Sequence, residues 1–167
     1  EFYGSAADFN FPKMTFNNLI VNLDNTTSKR IVAGTNNALF TINGSLTVKK
    51  GIFQIGTDGG TNTSAKVVVD VKKDITVESV GTIKVGTTKI HDGSVPGSGY
   101  AGGSLVPRYY DVYHKVYIGG NLYNKGGVVK FISDNITYPT YTWLAAEGAA
   151  SVRFYGLSNA LLQCDGQ

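Results

Sequence analysis

LFTINGSLTVKKGIFQIG, residues 39–56, reads as three short strands with punctuation between them. Residues 39–42 run to the pair Asn43 and Gly44, residues 46–48 follow, Lys50 and Gly51 interrupt, and residues 52–55 close the unit. Apolar side chains alternate within each piece, so one face points inward and the other outward. Asn-Gly and Lys-Gly pairs supply residues that tolerate positive φ where the chain must corner.

The same unit recurs downstream. Ile75 lies 29 residues after Leu46, and at that spacing Thr76 falls on Thr47 and Val77 on Val48. With Val80 taken as one inserted residue, GTIKVG at 81–86 falls on GIFQIG at 51–56, setting Ile83 on Phe53 and Val85 on Ile55. A third unit, VYIGGNLYNKGGVVKF at 116–131, fits without a gap at a spacing of 76. It sets Ile118 on Ile42, Gly120 on Gly44, Leu122 on Leu46, Gly127 on Gly51 and Val129 on Phe53. The copies thus occupy residues 38–56, 67–86 and 114–132, with a long loop at 87–115 and a shorter one at 57–65.

An Asn-Gly pair also marks β-hairpins, and a meandering antiparallel sandwich is the competing architecture. Two features favour stacking instead: the pieces are very short, and whole three-strand units recur in order. Such a unit cannot bury its apolar face alone, whereas stacked copies bury Leu46, Ile75 and Leu122 in one column. The expected fold is all-β, a parallel β-helix or β-solenoid with long projecting loops. Near the ends, EFYG at 1–4 resembles RFYG at 153–156, 152 residues later. The chain also begins without Met or a signal peptide, so residues 1–167 are read as one solenoid segment of a larger repetitive protein.

Composition agrees with strands and turns. Gly reaches 21, aromatic residues 11%, and charged residues only 16% against roughly 25% in ordinary soluble domains. Helix formers gather only at 144–150, LAAEGAA, where Gly148 weakens the tendency. The net charge of +3 is dispersed, with Lys49-Lys50 and Lys72-Lys73 among its few basic doublets, too little for a nucleic-acid footprint. No apolar run approaches the ~20 residues of a membrane span. A single cysteine, Cys164, excludes an intrachain disulfide framework and a Cys-based metal site.

Residues 15–22 (TFNNLIVN), 44–48 (GSLTV) and 151–166 (SVRFYGLSNALLQCDG) resemble the repetitive surface proteins and adhesins of Bacteroidota, many of them exported by the type IX secretion system. The resemblance implies a right-handed parallel β-helix, export, and a role in adhesion or in a surface filament. It implies no catalytic residues. The stretch at 87–115 departs from the family's simple pattern.

The candidate chemistry is sparse. His91 and His114, with Asp92 and Asp111 nearby, lack a nucleophile motif or metal-ligand spacing and read as solvated loop residues. Asp70, Asp74 and Glu78 are evenly spaced, as the carboxylates of a polysaccharide lyase would be on one strand. The first copy has Thr41, Ser45 and Lys49 there, which reads as an ordinary solvated face. Aromatic residues crowd the second half, and amphipathic rings suit sugar- or protein-binding surfaces. Tyr109, Tyr110, Tyr113 and Trp143 are the candidate ligand-binding residues; padding of a solenoid wall is the plainer role. The sequence therefore predicts a non-catalytic, secreted or cell-surface structural segment without metal or cofactor. Flanking repeats, surface glycans or other surface proteins are its expected partners, without nucleic acid or a membrane span. The alternative is a carbohydrate-binding or lyase-like β-helix; trimeric phage tail-fibre material is a third reading.

Overall fold

Alternating apolar residues between short turns commit this chain to strands. The computed structural model describes residues 1–4, 9–11, 13–24, 30–33, 38–58, 66–86, 114–132, 150–156 and 162–164. Among these residues the protein is all-β, with no helix. The first strands are β1 (Phe2–Gly4), β2 (Phe9–Phe11), β3 (Met14–Phe16), β4 (Leu19–Leu23) and β5 (Arg30–Ala33). The centre holds β6 (Ala38–Ile42), β7 (Leu46–Ile55), β8 (Val67–Val71) and β9 (Ile75–Val85). Then follow β10 (His114–Ile118), β11 (Leu122–Lys125), β12 (Val128–Lys130), β13 (Ala150–Phe154) and β14 (Leu162–Cys164).

Every ladder between these strands is parallel, and the strands sort into three rows. Row one is the five-stranded sheet β13-β10-β8-β6-β3. Row two is β1-β4-β7-β9-β11-β14 in the nine-stranded sheet, using the N-terminal parts of the long strands β7 and β9. Row three continues the same sheet, with β2, β5, the C-terminal parts of β7 and β9, and β12. The chain visits row one, then two, then three, and returns one level further on.

The pairing register is the register of the sequence repeat. Leu46 pairs with Ile75, and Ile75 with Leu122. After a shift in β7 between Val48 and Lys50, Gly51 pairs with Gly81 and Phe53 with Ile83. The one-residue insertion expected at Val80 falls instead at Glu78–Ser79, because Val80 pairs with Lys50. Across this bulge the inward set of β7 passes from Leu46 and Val48 to Phe53 and Ile55, whereas β9 keeps Ile75, Val77, Ile83 and Val85 on one phase, and both strands turn into row three. Three further levels have no counterpart in the sequence alignment, the outermost at the N-terminal side being β1 and β2 on β4 and β5. Leu19 stacks on Leu46 and Arg30 on Ile52 on one side, and Phe154 on Ile118 and Leu162 on Leu122 on the other.

The core is built of columns. Leu19, Leu46, Ile75 and Leu122 are each no more than 3% exposed, as are Ile31, Phe53 and Ile83 in row three. Burying one such side chain contributes roughly 1.5–3 kcal/mol, which a lone copy could not collect. Phe40 sits at the centre, with rings of Phe16 at 5.3 Å and Phe53 at 5.7 Å.

Corners are stacked as the strands are. Between rows one and two, the Leu19 amide donates to Ser45 O (3.0 Å), Leu46 N to Asp74 O (3.0 Å) and Ile75 N to Asn121 O (2.8 Å). Side chains join this ladder: Asn18 Oδ1 accepts from Ser45 N at 2.9 Å, and Asp74 Oδ1 from Asn121 N at 2.7 Å. Of the two glycines expected at corners, Gly51 has φ +88°, as anticipated. Gly44 is needed for a different reason: its φ is not positive, but a Cβ there would overlap the Asn17 carbonyl and the Asn18 side chain. The two similar tetrapeptides are not equivalent either. Phe2 pairs with Val21 in row two, whereas Phe154 pairs with Ile118 in row one.

Candidate functional site

The four residues singled out for ligand binding, Tyr109, Tyr110, Tyr113 and Trp143, lie outside the described residues. Their attachment points are described. Residues 86–113 join Val85 at the end of β9 to His114 at the start of β10, and residues 131–149 join Lys130 of β12 to Ala150 of β13. His114 and Ala150 are paired neighbours, as are Lys84 and Lys130. Residues 56–66 likewise join rows three and one, between β7 and β8. The longest excursions of the chain thus leave and re-enter at one corner.

On the outer face of row one, Thr41, Asp70, Tyr117 and Arg153 form a column of directly paired residues. Tyr155, just beyond β13, donates its hydroxyl to Asp70 Oδ1 at 2.8 Å, reaching across two levels. Lys72 Nζ donates to Asp70 Oδ2 at 2.6 Å and lies 5.6 Å from the centre of the Tyr155 ring. Tyr117 meets the same ring edge-on at 6.4 Å. Both Asp70 oxygens are therefore engaged. The hydrogen bond to Asp70 raises the Lys72 pKa, and burial, followed by the bond to Asp70, raises that of Tyr155. Lys72 is held more firmly protonated, the opposite of what a general base requires.

The three evenly spaced carboxylates do not share a face. Asp70 is on β8, Asp74 is taken up by the Asn121 amide and side chain in the corner, and Glu78 on β9 pairs with Lys125 at 3.6 Å. The corner between β8 and β9 separates what an unbroken strand would have aligned. Among the described residues, no group of three or more His, Cys, Asp or Glu is placed to hold a metal, and no helix is long and apolar enough to cross a membrane. No protein-family model, curated protein or solved structure matches the chain.

His114 overturns its sequence reading. It is not a solvated loop residue but the first residue of β10, only 1% exposed, and Lys115 is likewise in the strand. Its ring occupies the inward column of Ala38, Val67 and Ala150. Space comes from Gly56, φ +77°, where a Cβ would overlap His114 Nε2. Nδ1 accepts the Val67 amide proton at 3.0 Å, and Nε2 has no partner. Burial pushes the imidazole pKa down to about 4.

Across Gly56 lies a second polar group that alternation did not reveal. Gln54 is on the outward-facing phase of β7 yet fully buried, as is Val32 on β5 at 2%. Gln54 Nε2 donates to Gly56 O at 3.0 Å, and its Oε1 accepts from Arg30 Nη1 at 2.9 Å. Arg30 also pairs with Asp58. The chain Asp58–Arg30–Gln54–Gly56 thereby fixes the start of the excursion at the corner, as a positioning network.

Proposed function

We propose that this chain is a segment of a parallel β-helix whose job is extension and contact, in a secreted or cell-surface repetitive protein without catalytic activity. The single observation that carries the reading is the parallel, in-register stacking of successive three-strand units along all three rows. A chain that repeatedly visits three parallel rows and advances one level each time is most simply accommodated by winding, and parallel crossovers are overwhelmingly right-handed. Stacked levels make a stiff rod, because each level contacts mainly its neighbours. Flanking units of the same parent chain would extend it. The corner carrying the long excursions, with Tyr109, Tyr110, Tyr113 and Trp143, is the surface we assign to glycans or other surface proteins.

A carbohydrate-binding or carbohydrate-degrading β-helix is the second reading, favoured by Tyr117 and Tyr155 standing beside a carboxylate on the outer face. Its weakness is chemical: Asp70 is occupied and Lys72 is held protonated.

One experiment separates the two. The chain is incubated with neutral and acidic polysaccharides while retention and newly formed chain ends are both measured. Retention without cleavage, lost when Tyr109, Tyr110, Tyr113 and Trp143 are all replaced by alanine, supports the contact role. New chain ends overturn it. Electron microscopy of the parent protein tests the rod: its length should grow by about 4.8 Å per added level, the spacing of hydrogen-bonded strands. A compact particle would remove the basis for extension.

A further inference from the structure

Among the inward columns of row one, one position breaks the apolar rule. Ala38, Val67 and Ala150 frame a level at which the side chain is His114, closed off by Gly56. The ring makes one hydrogen bond, and the direction of that bond matters. Val67 N–H is the donor, so Nδ1 must present a lone pair, and the neutral ring carries its proton on Nε2. Nε2 is buried and has no acceptor.

We propose that His114 is an acid-sensitive latch, holding the start of β10 against β8 and the Gly56 turn while neutral and releasing that corner when protonated. Protonation at Nδ1 sets N–H against the N–H of Val67, destroying the one bond the ring makes. It also places a cation with two unsatisfied donors in an apolar column. The residues stacked with it on β6, β8 and β13 are Ala38, Val67 and Ala150, none of which titrates. The charged residues close in the fold are Lys115, next along β10, Lys66, just before Val67, and the Arg30–Asp58 pair joined to Gln54. None supplies a carboxylate against the ring, and the depressed pKa has burial as its only cause. The inference is independent of the adhesive role, since it concerns only how the corner is held.

The sign follows from linkage. In an open corner the imidazole titrates at its ordinary 6.5, and in the closed one at about 4. The open form therefore binds more protons between these values, so the closed form loses stability as pH falls through that window and nothing further below it. The test is hydrogen exchange at the Val67 amide, expressed as a protection factor, with the imidazoles followed by NMR; His91→Gln leaves His114 as the only imidazole signal. Protection should fall about 30-fold between pH 7.5 and pH 5, the ratio set by those two pKa values. His114→Asn keeps an acceptor for Val67 N–H without a titrating group, and its protection should be flat over the same range. Equal pH dependence in His114→Asn would overturn the proposal. Should that variant fail to fold, the intact chain decides alone: an imidazole inflection near 6.5 with unchanged Val67 protection refutes the latch, and one near 4 with falling protection supports it.

Discussion

Replacing Ile75 by alanine removes side-chain carbons from the middle of a core column, between Leu46 on one level and Leu122 on the next. Ile75 is 1% exposed, so the full transfer term applies: three carbon groups at about 0.8 kcal/mol each, or roughly 2.4 kcal/mol. A residual cavity adds to this, because neighbours held by strand pairing on both sides cannot collapse freely, and the total comes to about 3–4 kcal/mol. For a chain of this length, that lowers the melting temperature by about 10 °C. The adjacent Thr76 belongs to the outward column with Thr47 and Tyr123, and Thr76→Ala should stay within about 0.5 kcal/mol. Urea unfolding followed by circular dichroism measures both, with an unchanged m-value confirming that stability alone has moved. Comparable losses for the two variants, or a loss below about 1 kcal/mol for Ile75→Ala, would refute the column argument.

Asn124 stands where the other levels have Val21, Val48 and Val77, and its Oδ1 is buried without a partner. Asn124→Val should therefore stabilise by about 1–2 kcal/mol, and a lower unfolding midpoint would show that the oxygen is satisfied after all. Gly51→Ala forces a Cβ to 2.8 Å from Leu23 Cβ at φ +88°, so a loss of about 3 kcal/mol is expected in the same assay. Tyr155→Phe deletes a bond that spans two levels, but in a setting near the surface. It should cost under about 1 kcal/mol, and a larger loss in thermal melts would mark the Tyr155–Asp70 tie as a main clamp.

The sequence spacing already contained the pairing register wherever two levels are separated by a strand-for-strand match. Leu46 to Ile75 and the ungapped step to Leu122 are geometric facts of the ladders, and the one-residue insertion is present but falls at Glu78–Ser79, since Val80 pairs with Lys50. What escaped was any level whose excursions differ in length within the unit. Between Leu19 and Leu46 the offset is 27 residues, but between Arg30 and Ile52 only 22, so no single shift aligns that level. EFYG and RFYG misled for the opposite reason, since three matching residues carry no information about which row they enter. His114 was legible in principle: carrying the alternation of Val116 and Ile118 back two residues puts it on the inward phase. Gln54 was not, because alternation says which way a side chain points and nothing about whether that face is covered.

The junction from row three to row one holds four residues between β5 and β6, eleven between β7 and β8, twenty-eight between β9 and β10, and nineteen between β12 and β13. The ladders on either side keep their pairing through all of these lengths. Closing a chain grows dearer only with the logarithm of its length, so the step from eleven to twenty-eight residues adds roughly 0.8 kcal/mol. Length at this junction is thus nearly a free variable, at a fixed address. Insertions and deletions here can accumulate, or be engineered as grafts, with almost no echo in the framework, whereas a residue added inside a strand shifts the pairing register and has to be taken up at a bulge, as between β7 and β9.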